Sequence, residues 1–353
     1  MAHVALQGIT KKFRRHKALD ALSLEVGDGE FFVLLGPTGA GKTTTLRLIA
    51  GLDGLDAGSI SIGGKDVAGW SAAERDVALV FQYYSLYPHY TVRQNLEFPL
   101  RSKHRHFSPE EIQGRVAKAA KTLRIEHLLE RKTDRLSGGE MQRVSIGRAI
   151  VREPRVFLMD EPLSNLDAKL REALRLELKH LQKTQGSTTL FVTHDQIEAL
   201  TMADRIAVLN EGRIVQQGAP VDIYDRPATT FVAQLVGTPR INLLEAGRDG
   251  GAVSVKGGGL SLPAPRLPLP ESFLLGIRPE DIRPEPKGAF LGKVFLTEPL
   301  GVETILHIRC GELTLLSLVP GMAAQRVGEE LRFGIAQEKL HYFGLDKKRI
   351  TAE

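Results

Sequence analysis

The sequence predicts an α/β domain followed by a smaller all-β domain, and three observations carry that prediction. Up to about Pro239, short β-rich apolar runs alternate with helical patterns. Beyond it helical patterns fade, Pro and Gly become dense between Lys256 and Pro270, and only short β-type runs recur. The 353 residues also exceed what a single hydrophobic core usually serves.

Taken in order, Val4 to Leu6 and Leu22 to Val26 are short strand patterns, and Phe31 to Leu35 is continuously apolar, as a strand buried on both faces must be. A glycine-rich turn and a helix from Lys42 to Ala50 follow. Gly58 to Ile62, Val77 to Phe81, Val156 to Met159, Thr188 to Val192 and Ile206 to Leu209 are further strand patterns. Arg101, Lys103, His104, Arg105 and His106 read as a basic loop feeding a helix, with Ser108 as cap, Pro109 in the first turn and Glu111 completing a capping box. Leu170, Leu174, Leu178 and Leu181 keep helical spacing, and Gly186 supplies the stop. Arg205 to Gln216 reads as a hairpin around Asn210, Glu211 and Gly212. The later β-type runs centre near Leu274, Val294, Ile305, Leu315 and Leu331, and no internal repeat is visible.

Composition narrows the function classes. The chain is 42% hydrophobic and 25% charged, ordinary for a globular protein. Its net charge of +5 comes with acids interspersed throughout, which describes a solvated surface better than a nucleic-acid footprint. The single cysteine, Cys310, permits no intrachain disulfide and fits a reducing compartment. Met1 to Phe13 alternates apolar and polar residues and lacks a secretory apolar core. The longest apolar candidate, Leu313 to Ala324, is broken by Ser317, Pro320 and Gly321, so a membrane role is expected to come through a partner.

Three segments carry chemistry. Gly36, Pro37, Thr38, Gly39, Ala40, Gly41, Lys42 and Thr43 match G-x-x-x-x-G-K-[ST] between an apolar strand and a helix. Such a P-loop turns backbone N–H groups onto phosphate oxygens, adds the positive end of the helix dipole, neutralises the β/γ-phosphates with Lys42 and offers the Thr43 hydroxyl to Mg²⁺. Val156 to Met159 ends abruptly at Asp160 and Glu161, which delivers two carboxylates to the ligand-binding end of a sheet. One can hold a metal through its water shell while the other orients or deprotonates water. Leu136, Ser137, Gly138, Gly139 and Glu140 precede Met141, Gln142, Arg143 and Val144. A capped helix explains Ser137 and Glu140, but not the whole pentapeptide ahead of Gln142 and Arg143.

Together these elements resemble the nucleotide-binding subunit of ABC transporters over essentially the whole chain. The resemblance implies a P-loop NTPase domain at residues 1–236 with a helical subdomain at about 83–135, then an OB-like accessory domain at 237–353. It implies that ATP and Mg²⁺ bind; that Gly36 to Thr43 with Thr44 hold the nucleotide; and that Ser137, Gly138 and Gly139 touch the γ-phosphate held by another subunit. Gln82 looks like the Q-loop residue that senses the metal and attacking water, so Thr43, Gln82 and Asp160 are the implied metal site. Glu161, His194 and Lys42 are the implied catalytic group, with His194 similar to the switch histidine. Ser164, Asn165, Leu166 and Asp167 resemble the D-loop, and Phe13 sits where the family places a ring against adenine. Glu140 stands where many such importers have glutamine, and Phe13 replaces the commoner Tyr or Trp.

Tyr84, Ser85, Leu86, Tyr87, Pro88 and His89, with Ser164 to Arg171, resemble bacterial importers of sugars and related solutes of the maltose, glycerol-phosphate and multiple-sugar type. Gly276, Ile277, Arg278, Pro279, Glu280 and Asp281 look like that subfamily's hallmark. The resemblance therefore implies an ATPase dimer, of this chain or with a close homologue, and two multi-span permease subunits. It further implies an extracytoplasmic solute-binding protein acting indirectly, no nucleic acid, and a peripheral place on the cytoplasmic face of the inner membrane. The accessory domain is expected either to regulate or only to add dimer surface. A soluble ABC ATPase of DNA repair or ribosomes, a non-catalytic ATP-dependent dimerisation module and an exporter ATPase are the competing expectations. The solute itself is not legible.

Overall fold

The computed structural model describes residues 2–102 and 107–351. Lys103, His104, Arg105 and His106, most of the basic loop, lie outside the described residues. The chain divides into two units, Met1–Pro220 and Val221–Glu353.

The first unit holds two sheets. A four-stranded antiparallel sheet runs in the order His16–Val26, Val4–Phe13, Ala57–Ile62, Lys65–Asp66, and a six-stranded, mainly parallel sheet runs Arg213–Gly218, Arg205–Asn210, Phe31–Leu35, Thr188–Thr193, Val156–Asp160, Val77–Val80. Phe31–Leu35 is buried at every position because it lies between two parallel neighbours, which accounts for its unbroken apolar run. The register places Leu35 opposite Thr193 and Asp160 opposite Val192. Three loops therefore leave the sheet side by side, beginning at Gly36, Glu161 and His194. Phe32, Leu34, Leu46, Ile49, Leu158, Leu190, Val192 and Leu209 fill one core beneath them.

The helices follow their caps. Pro109–Thr122 starts at Ser108 and Gly138–Ile150 at Ser137, each with the reciprocal bonds of a capping box. A third box, Thr91 with Gln94, opens Val92–Glu97. Ala168–Gln185 buries Leu174, Leu178 and Leu181 and ends on Gly186 in the left-handed conformation, φ 61°. Among the described residues no helix is long and apolar enough to cross a membrane. The Leu313 segment that came nearest in the sequence is instead a strand, Leu313–Pro320, with alternating burial.

The second unit opens with two short helices, Pro220–Asp225 and Thr230–Leu235. It continues as two five-stranded antiparallel sheets, ordered Leu260–Pro263, Ala252–Val255, Asn242–Asp249, Ser272–Ile277, His341–Phe343 and Ile282–Pro284, Glu330–Ile335, Phe290–Pro299, Glu303–Cys310, Leu313–Pro320. Their inner faces share a core that includes Phe273, Leu275, Ile277, Leu306, Ile308, Leu315 and Phe333. Cys310 is part of it, and burial pushes its thiol up to about 11, so it behaves as a small apolar side chain.

Arg278, from the hallmark segment, is 2% exposed. Its guanidinium lies 4.0 Å from the Tyr224 ring centroid and donates to the carbonyl oxygens of Tyr224 at 2.8 Å, Ala233 at 3.2 Å and Val236. One side chain thus satisfies the C-terminal carbonyls that both short helices leave unpaired.

Candidate functional site

The site is built at the C-terminal edge of the parallel sheet. Phe31–Leu35 delivers the chain to Gly36, where a Cβ would lie 2.3 Å from the Leu209 carbonyl oxygen, so no larger residue fits. The loop is held by Ala40 N–H donating to the Pro37 carbonyl at 3.2 Å, and by Gly212 N–H donating to the Ala40 carbonyl at 3.0 Å. Gly212 belongs to the turn of the Arg205–Gly218 hairpin, so that turn props the loop from behind. Gly41, at φ 108°, then starts the helix Lys42–Ala50.

Lys42 is 5% exposed, and its Nζ donates to the carbonyls of Gly36 at 2.9 Å and Pro37 at 3.0 Å. It also lies 3.3 Å from Glu161 Oε1. The other oxygen of that carboxylate, Oε2, is 2.8 Å from His194 Nδ1. Glu161 thus stands between a lysine and a histidine contributed by different loops. Its backbone is at φ 44°, a conformation that costs a non-glycine residue of order 1–3 kcal/mol and is retained mainly at functional positions. Its N–H donates to the Val192 carbonyl at 2.9 Å, which holds that conformation in place.

Thr43 Oγ1 donates to Asp160 Oδ1 at 3.1 Å. Burial raises the Asp160 carboxyl above its ordinary range, with the neighbouring Glu161 charge adding to it and the Thr43 bond opposing it. Gln82 joins through the 164–167 segment: its Nε2 donates to Ser164 Oγ at 3.5 Å, and its carbonyl accepts from Asn165 Nδ2 at 3.1 Å. Ser164 Oγ in turn donates to the Glu161 carbonyl at 2.9 Å.

The fold therefore gathers Lys42, Thr43, Asp160, Glu161, His194 and Gln82 into one cluster. Ser137, Gly138 and Gly139 make their contacts elsewhere. Ser137 and Glu140 bond each other, and the Ser137 N–H holds the Glu140 carboxylate below its usual range. A Cβ on Gly139 would lie 2.0 Å from Leu170, so this helix start packs on Ala168–Gln185. Phe13 ends its strand 45% exposed, with Lys11 Nζ 5.2 Å from its ring centroid.

Two further residues support the cluster and were not singled out from sequence. Arg171 Nη2 donates to the carbonyls of Leu166 at 3.0 Å and Ser164 at 3.4 Å, while Nη1 lies 3.5 Å from Asp195 Oδ2. It ties the loop 164–167 to the turn carrying His194. On the other side of that turn, Thr193 Oγ1 donates to Glu198 Oε2 at 2.5 Å and accepts the Asp195 N–H at 2.9 Å. Burial pushes the Glu198 carboxyl up to about 7. Its i+5 spacing from Thr193, straddling a strand end and a helix start, is the only sequence signal that could have marked it.

A glycine-rich loop, a buried lysine, a hydroxyl beside a carboxylate and a carboxylate beside a histidine are the parts that nucleoside triphosphate hydrolysis requires. Comparison with known proteins agrees. Residues 19–164 match the family described as ABC transporter, and residues 275–343 match the TOBE domain. The sn-glycerol-3-phosphate import ATP-binding protein UgpC of Brucella abortus biovar 1 (strain 9-941) is 45% identical over 365 residues, covering 99% of this chain and 100% of that one. The chain belongs to the ABC transporter ATP-binding family. The sn-glycerol-3-phosphate import ATP-binding protein UgpC 3 of Agrobacterium fabrum is 47% identical, with 99% of this chain and 100% of that one covered. The sulfoquinovosyl glycerol transport ATP-binding protein SmoE of the same organism is 43% identical, with 99% of each covered. Among solved structures, a dimeric post-hydrolysis state of the ATP-binding cassette MJ0796 bound to ADP and Pi superimposes with a TM-score of 0.56 at 31% identity, covering 62% of this chain and 98% of that one. This ABC protein binds ATP and hydrolyses it as the motor subunit of an importer, so it works at a membrane with other subunits.

Proposed function

We propose that the chain drives uptake of a sugar-derived solute by closing as a dimer, of itself or with a close homologue, on ATP, each molecule held between the P-loop of one subunit and Ser137 to Gly139 of the other. The observation that carries this reading is the placement of Glu161 between Lys42 and His194. In the proposed mechanism Lys42 leaves Glu161 for the β/γ-phosphates. Glu161 then accepts a proton from the attacking water, and His194 steadies the γ-phosphate region. Phe13 offers an exposed ring to the adenine. Ser137 caps a helix whose N-terminus, with Gly138 and Gly139, suits a phosphate, which supports these residues serving another subunit's nucleotide.

Thr43, Asp160 and Gln82 are hard oxygen donors of the kind Mg²⁺ prefers, and a buried carboxylate with a raised pKa beside a hydroxyl suits a cation. Mg²⁺ takes one or two carboxylates and leaves its other positions to water and phosphate. When bound there, Mg²⁺ would neutralise phosphate charge.

Two multi-span permease subunits are the proposed membrane partners, with a solute-binding protein outside and this chain peripheral on the cytoplasmic face. An apolar groove of about 430 Å³, lined by Leu52, Val77, Leu79, Phe81, Pro99 and Arg152, with Leu52 and Phe81 exposed, gives a permease segment a surface to press on. The relatives named for glycerol-3-phosphate and sulfoquinovosyl glycerol point to a glycerol-bearing, sugar-like solute. Glu161→Gln tests the mechanism: ATP binding persists while steady-state hydrolysis falls by about 10²–10⁴-fold. Unchanged turnover removes Glu161 from the role of base.

A further inference from the structure

The hallmark segment closes one side of a cavity of about 240 Å³ within the second unit. Its floor is Arg278, Asp281 and His341, which are 2%, 3% and 6% exposed. Each floor residue carries a buried polar atom with no hydrogen-bond partner: Arg278 Nε, Asp281 Oδ1 and His341 Nδ1. The nearest cation to Asp281 Oδ1 is Lys339 Nζ at 3.7 Å, beyond hydrogen-bond reach. Leaving three such atoms unpaired costs roughly 1–3 kcal/mol each, so a polar occupant is favoured. The space exceeds the share of a single water about eightfold.

The lining decides the chemistry. An anion would face Asp225, Glu280, Asp281 and Glu338; a cation would face Arg278 and Lys339. Burial and the Arg278 and Arg349 charges bring His341 down to about 4, so at neutral pH it adds no charge but keeps one ring donor and one acceptor. Arg278 already stacks on one face of the Tyr224 ring. A neutral ligand whose groups both donate and accept satisfies both signs at once, and hydroxyls do so.

We propose that this cavity is a binding site for a small neutral polyhydroxyl compound, from a triol to a monosaccharide in size. The site is defined by direct binding, so it stands apart from the transport reading and fails separately from it.

Titration calorimetry on the full-length chain with glycerol, sorbitol and glucose is expected to give saturable binding of at least one, with a Kd at or below about 1 mM. Lys339→Ala, at the exposed rim, and Asp281→Asn, on the floor, are each expected to weaken it by about tenfold or more. Should Asp281→Asn fail to fold, the rim variant alone decides. No saturable heat from any of the three would mean water alone fills the cavity and would overturn the proposal. So would binding indifferent to Lys339→Ala, inorganic phosphate binding that Lys339→Ala abolishes, or Mg²⁺ binding that Asp281→Asn abolishes.

Discussion

Glu198 offers a perturbation whose size follows from its surroundings. Its carboxyl is 2% exposed and rises from an ordinary 4.5 to about 7, chiefly through burial, with Asp195 adding to the rise and Thr193, Arg171 and His194 opposing it. Between pH 4.5 and 7 the folded protein therefore holds a proton that the unfolded chain has released. Stability contributed by that proton is fully present below pH 4.5 and is lost as pH climbs through about 7. A shift of this size corresponds to about 3 kcal/mol across the window. Glu198→Gln removes the titration and still accepts the Thr193 hydroxyl. Denaturant unfolding of the first unit at several pH values between 4.5 and 8, read as variant minus wild type, cancels every other titrating group. The difference is expected to shift in the variant's favour as pH rises from 4.5 to about 7, by about 3 kcal/mol in total, and to level off above that. A flat difference would refute the assignment of a buried, proton-holding Glu198.

Other variants probe separate features. Gly36→Ala drives a methyl into the Leu209 carbonyl and is expected to lose measurable ATP binding, read by fluorescent-nucleotide titration, with an overpacking cost of about 1–3 kcal/mol in melting. Arg171→Ala frees loop 164–167 from the histidine turn; kcat for ATP should fall about tenfold or more while KM stays within about threefold, because a displacement near 1 Å is costly to chemistry and not to binding. Arg278→Ala strands the Tyr224, Ala233 and Val236 carbonyls, and calorimetry should show the second unit's transition destabilised by about 3–5 kcal/mol with the first unit's unchanged.

Local chemistry made much of this legible from sequence. Phe31 to Leu35 and Lys42 to Ala50 match their observed ends because a continuous apolar run and a glycine turn leave no alternative. Ser108 with Glu111, and Ser137 with Glu140, form the boxes their spacing announces. Strand ends were less visible: His16–Val26 begins well before Leu22, because exposed His16 and Lys17 are held by pairing with Val4–Phe13 while Ala18 and Leu19 are buried behind them. The short helices Pro220–Asp225 and Thr230–Leu235 group with the second unit, although the texture of the sequence changes only near Pro239. Long-range partnerships stayed hidden. Nothing in the chain near Arg171 announces Asp195, and Gly212 looks like any hairpin glycine until the fold lays it against Ala40.

The backbone around the Lys42, Glu161 and His194 cluster is tied across its loops: Gly36 N–H reaches the Thr193 carbonyl at 3.4 Å, and Glu161 N–H reaches the Val192 carbonyl at 2.9 Å. Loops so tethered to adjacent strands have little freedom to slide past one another. Any exchange of partners among these three residues is therefore left to side-chain torsions, with Lys42 buried and His194 exposed. The cluster can thus trade partners without moving the strands that carry it.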